Sequence, residues 1–144
     1  MSDFSLSFPL LDETNHRPTS PITPDYNCIA WAAEEDDRWW WPGPAEVTYW
    51  PDGVPRAPTQ EAFVLAFQSL GYSVCDSGTI EDGFDKVVLY LDPNNLPTHM
   101  ARQLSDGTWT SKLGQSIDIN HFTVDAISGP AYGQAAVFLS RKHR

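Results

Sequence analysis

Residues 85–92, "DKVVLYLD", and 98–114, "THMARQLSDGTWTSKLG", decide the fold class. The first is an unbroken apolar run of strand length, the pattern of a strand covered on both faces. The second carries strand formers on both sides of Asp106 and Gly107, a dipeptide suited to a tight turn, and predicts a hairpin. A buried strand followed within a few residues by a hairpin implies a mostly antiparallel sheet. Towards the C-terminus, residues 122–128 predict a short helix and "QAAVFLSRK", 134–142, a last strand. Towards the N-terminus, "YSVCD" is a short extended segment. Before it, "TQEAFVLAFQSLGY" places Ala62, Phe63, Ala66, Phe67 and Leu70 at helical spacing, with Thr59 as cap and Gly71 as stop.

Residues 38–58, "RWWWPGPAEVTYWPDGVPRAP", hold too much Pro and Gly for a long element and read as an aromatic loop with one short strand. A further helix is expected from about Asp25, where Tyr26, Ile29, Ala30 and Ala33 line one face and Asp25 or Asn27 caps free donors; its expected end is the acidic run Glu34 to Asp37. Residues 1–24, punctuated by Pro9, Pro18, Pro21 and Pro24, read as an extended arm, and 141–144 as a basic tail. The expectation is one domain of 144 residues with an α+β core over 25–140, N-terminal helices packed on a mostly antiparallel sheet.

Six Trp, seven Phe and five Tyr in a chain that is 41% hydrophobic supply enough apolar surface for a folded core. A net charge of −10 repels phosphate backbones, which argues against nucleic acid as a partner. No apolar run reaches the roughly 18 to 20 residues that span a bilayer, and "MSDFSLSFPLLDE" lacks the basic start and apolar centre of a signal peptide. A cytoplasmic protein, or one exported by a signal-free route, is expected. Paired C-x-x-C or H-x-x-x-H spacing is lacking, so neither a metal nor another cofactor is expected. Cys28 and Cys75 permit one disulfide, which a reducing compartment disfavours.

The candidate chemistry centres on "PDYNCIAWA", 24–32. A cysteine near a helix start feels the positive end of the dipole and free N–H groups, both of which favour the thiolate. Its base must come from elsewhere in the chain. His16 lies in the arm and His143 in the tail, which leaves His99, opening the hairpin, and His121 in "DINHF". His99 is the better placed.

Cys28 in "YNCIAWA" and His99 in "PTHMARQLSDGTW" give this chain an arrangement that resembles the papain-like cysteine peptidase and amidase superfamily, especially its compact NlpC-type and CHAP-type members. The resemblance runs over about residues 25 to 114 in order of elements. It implies a helix-borne nucleophile at Cys28, a base at His99 on the following strand, and a polar orienter one strand further on. Counting across the hairpin puts Ser111 or Lys112 there; Ser111 can accept a hydrogen bond from the ring and an ammonium cannot. Asp118 or Asn120 are the alternatives. The cell-wall enzymes' Asp-Cys-Ser-Gly signature does not occur around Cys28. The segments "YNCIAWA", "RWWWP", "THMARQ" and "WTSKLG" also look similar to an uncharacterised domain family of bacteria and fungi.

On this reading a Cys28 thiolate attacks an amide or thioester carbonyl of a peptide or protein, and His99 moves the protons. The Asn27 amide and the Cys28 N–H are candidate oxyanion donors. Tyr26, Trp40, Trp41 and Lys112 are candidate substrate contacts, because aromatic rings form flat platforms and three successive Trp cannot all face inward on one regular element. The alternative is a non-catalytic, acidic, Trp-rich binding or immunity-type module of the same fold that holds a protein partner and keeps Cys28 in its core. Whether Cys28 meets His99 in an open cleft separates the two.

Overall fold

The computed structural model describes residues 7–113 and 117–143. The start of the arm, Gly114 at the end of the hairpin segment, and Arg144 of the tail lie outside them. The described strands are β1 (His16–Pro18), β2 (Ser73–Cys75), β3 (Phe84–Leu91), β4 (Pro97–Gln103), β5 (Trp109–Lys112), β6 (Asp118–His121) and β7 (Gln134–Lys142). They form a single sheet in the order β1-β6-β5-β4-β3-β7-β2. Every neighbouring pair is antiparallel. Helices α1 (Cys28–Ala32) and α2 (Gln60–Gln68) and a 3-10 turn at Val124–Ile127 complete the α+β fold.

Side-chain alternation gives the sheet two dry faces. Val87, Leu89 and Leu91 of β3 pack with Met100 and Leu139 beneath α1 and α2. Val88 and Tyr90, pointing the other way, pack with Ala101, Trp109, Leu113, Ile119, Ile127 and Phe8. Because β3 is buried on both faces, its sequence shows a continuous apolar run rather than alternation. The hairpin forms around Gly107, whose φ of +89° suits glycine, and pairs Arg102 with Thr110 and Gln103 with Trp109.

Helix α2 begins where Thr59 Oγ1 accepts the Ala62 N–H at 3.2 Å, and the chain leaves it through Gly71 at φ +98°. Phe63 and Phe67 on its buried face meet the aromatic loop: Trp50 packs 5.0 Å from Phe63 and Trp40 6.0 Å from Phe67, centroid to centroid. Each fully buried aromatic of this kind contributes on the order of 2 kcal/mol. The loop's extended backbone amounts to one isolated bridge, Trp40 to Tyr49.

Three expectations change. Helix α1 starts at Cys28 rather than near Asp25, and it stops at Ala33, before the acidic run, with Glu34 at φ +66°. Five residues are too few to hold a helix by backbone bonding alone, so packing and capping hold it. "DINH" is strand β6, not loop, because it is paired on both sides, by β1 and β5. The arm contributes β1 and is then pinned: Thr19 N–H donates to the Asp118 carbonyl at 2.8 Å, and Ser20 Oγ accepts the Asp118 N–H at 3.0 Å.

Candidate functional site

Cys28 opens α1 at 8% exposure, in the cluster that fills the space between the helices and the sheet. Burial pushes its thiol up to about 11, outweighing the N–H groups of Met100, Ile29 and Cys28 itself, which favour the thiolate. The helix start alone does not activate this sulfur. Asn27 is the N-cap: its Oδ1 accepts the Ala30 and Trp40 N–H groups, both at 3.1 Å, and its Nδ2 donates to the Trp40 carbonyl at 2.8 Å. One of its two amide N–H groups therefore ties α1 to the Trp loop.

His99 is fully buried, stacked 4.0 Å from the Tyr132 ring and edge-on to Tyr90 at 5.4 Å. Its Nε2 lies 2.9 Å from Ser111 Oγ, which lies 2.7 Å from His121 Nε2; His121 Nδ1 lies 2.8 Å from the Thr123 carbonyl oxygen. The carbonyl can only accept, so His121 carries its proton on Nδ1 and presents a bare Nε2. Ser111 then donates to His121 and accepts from His99 Nε2–H. The chain of bonds has one polarity, and it leaves His99 Nδ1 a bare acceptor without a partner. Burial, then the neighbouring His121, holds His99 well below the usual histidine range, and burial holds His121 down at about 4. Ser111 does contact the imidazole, at the position the hairpin count gave.

No hydrogen bond joins Cys28 and His99 among the described residues: His99 Nε2 meets Ser111 and its Nδ1 has no partner. On β4, Met100 packs with Cys28 under the helices, whereas Ala101, and with it His99 by alternation, faces the other way. The thiol meets the Met100 N–H while the imidazole leaves the same strand towards Tyr90 and Tyr132. Both groups are buried.

The other named residues are structural in their contacts. Tyr26 donates to Asp118 Oδ2 at 2.5 Å; burial, then that carboxylate, pushes the phenol up to about 12. Lys112 is fully buried, donates to the Thr23 carbonyl at 2.6 Å and lies 5.0 Å from the centre of the Tyr26 ring. Burial lowers its pKa, against the pull of Asp118 and Asp25. This cluster is covered by the arm, so Tyr26 and Lys112 are no substrate contacts. Asp118 and, by alternation, Asn120 face the α1 side and do not orient His99. Trp40 is buried, its Nε1 donating to Glu35 at 2.8 Å, and is no platform; Trp41 is half-buried with its ring edge-on to Phe63. The sequence reading missed His121 as the far end of the Ser111 chain, and Tyr132 as the ring over His99. The spacing of Ile119 and His121 by two residues was the available signal, masked by the polar composition of "DINH".

A groove of about 660 Å³ runs between α2 and the β2/β7 edge, lined by Val64, Leu65, Val74, Cys75, Val137 and Phe138 among others. Cys75 is half-buried there and, like Cys28, is a free thiol. Among the described residues, no cluster of three or more His, Cys, Asp or Glu is poised for a metal ion, and no helix is long and apolar enough to cross a membrane. Neither the curated proteins nor the solved structures include a match to the chain. Residues 17–140, from within β1 to within β7, match the model of the family described as Domain of unknown function (DUF7689), and the chain belongs to that family.

Proposed function

We propose that this chain is a non-catalytic protein-binding module built on a papain-like arrangement of elements, rather than a cysteine amide hydrolase or acyltransferase. The observation that carries this reading is that the thiol and the imidazole are both buried with no hydrogen bond between them among the described residues. A nucleophile needs its thiolate, its base and a path for substrate at one place. Here burial favours the neutral thiol, and the imidazole's one committed nitrogen serves a buried hydrogen-bond chain. The element order supports a papain-like core as scaffold: a helix-borne cysteine, then an antiparallel hairpin carrying the histidine.

The test is alkylation by iodoacetamide at pH 6, read site by site by mass spectrometry. Cys75 is expected to label in the folded protein and Cys28 only on unfolding. Labelling of Cys28 faster than free cysteine would overturn the proposal.

One observation favours a second reading. His99 Nδ1 is bare while Nε2 is held by Ser111, which is half of a thiol–imidazole pair already oriented. An amidase that brings Cys28 to that nitrogen would use it, and fast labelling of Cys28 at pH 6 is the outcome that reading requires.

A further inference from the structure

Strand β7 is longer than its outer neighbour. It pairs with β3 from Gln134 to Lys142, but with β2 only at Phe138, Leu139 and Ser140. Beyond Cys75 the chain leaves the sheet plane: the Ser77 carbonyl accepts from Lys86 Nζ at 3.1 Å and the Gly78 carbonyl from Gln103 Nε2 at 2.6 Å, both on the face away from the helices. The crossing is tight, since a Cβ on Gly78 would lie 2.7 Å from the Phe138 ring and 2.8 Å from Trp109. Among the described residues, 134–137 of β7 are therefore left without a strand on that side. The register shift opposite Leu89 and Tyr90 also leaves Ala136 without a partner on β3.

The apolar groove lies along this open edge. Val74 and Leu65 stand in it at 57% and 43% exposure. Exposed backbone beside exposed apolar side chains is the combination that an added strand satisfies: main-chain bonds to the edge, alternate side chains into the groove. Charge selects the occupant. Glu61 and Asp76 are exposed carboxylates in the lining, and among the described residues no Lys or Arg lines it, on a chain of net charge −10.

We propose that the groove beside β7 takes an extended segment of another protein, about four residues or ~13 Å long, apolar at alternate positions and flanked by Lys or Arg, added as a strand in the row that β2 begins. This rests on the binding-module reading and names its site and the chemistry of its partner.

Two blocked hexapeptides, with valine alternating with threonine and arginine at both ends of one and glutamate at both ends of the other, test it on the full chain. The lining thiol of Cys75 is the reporter. The arginine peptide is expected to slow Cys75 alkylation about tenfold at saturation and the glutamate peptide not at all. The surface variant Glu61→Lys/Asp76→Lys is expected to weaken the arginine peptide on the order of tenfold, as the loss and reversal of two exposed charge pairs implies. Equal protection by both peptides, no protection at millimolar concentration, or undiminished binding by the variant would overturn the proposal. So would a concentration-dependent dimer, seen by sedimentation, that protects Cys75 without peptide, since the occupant is then a second copy. All of these outcomes leave the labelling of Cys28 untouched, so failure here is distinguishable from failure of the binding-module reading.

Discussion

Each face of the sheet buries a polar cluster, and the two are built on different principles. Under α1 and the arm, Tyr26, Asp118 and Lys112 hold charge: a carboxylate bonded by a phenol, with a fully buried ammonium bonded to the Thr23 carbonyl. On the opposite face, His99, Ser111 and His121 hold none: a neutral chain whose direction is fixed by one carbonyl oxygen. The charged cluster ties the arm to the sheet and depends on all its members, because a buried charge left alone is costly. The neutral cluster tolerates loss of a member better but is vulnerable to protons. Adjacent residues supply both, Ser111 and Lys112 on β5, which shows how strand alternation assigns neighbours in sequence to unrelated environments.

The largest effect is expected from Lys112→Met. The substitution keeps the side chain's bulk but removes the cation facing Asp118 and the donor to Thr23, and is expected to cost on the order of 4 kcal/mol in urea unfolding. If the arm is held by this cluster, limited proteolysis should cut within residues 17–25 of the variant and spare the native chain.

Acid should act next, and on the other face. The folded-state pKa values of His99 and His121 lie below the unfolded value near 6.5, His121 at about 4. Above pH 6.5 both states are neutral and stability is flat. As pH falls below 6.5 the unfolded chain takes up protons first, so stability declines until the folded pKa is passed. His121 alone accounts for a loss on the order of 3 kcal/mol by pH 4. Urea titrations at pH 7, 5.5 and 4 measure this, and a flat profile would break the contrast between the faces.

The smallest effect is expected from Ser111→Ala, about 2 kcal/mol, for a buried acceptor and donor left without their shared hydroxyl. Freed of Ser111, His99 loses its fixed proton order while His121 keeps its proton on Nδ1 towards Thr123, and nitrogen chemical shifts of the rings would report a mixed tautomer population at His99 alone.

The elements that were legible in the sequence carry their signals locally. Helix α2 shows its cap, its spacing and its stop within fourteen residues, and β7 coincides with "QAAVFLSRK". The hairpin is likewise where its Asp106–Gly107 turn puts it. Strand β6 was not legible: Asp, Asn and His are weak strand formers, and only pairing on both sides makes "DINH" extended. At the candidate site, Ser111 was found because a short hairpin fixes cross-strand neighbours. A Cys28–His99 contact was not legible, because it requires knowing on which face of β4 the helix lands.

The sequence by itself determined the α+β class, the capped helix at residues 60–68, the hairpin and the acidic surface, since each follows from periodicity, turn chemistry or composition along the chain. Only the tertiary structure decided that Cys28 lies under the helices, that His99 points the other way into a neutral chain ending at Thr123, and that β7 keeps an open edge. Sidedness depends on which strand faces α1 and on where β2 stops, contacts between residues distant in sequence that no local pattern encodes.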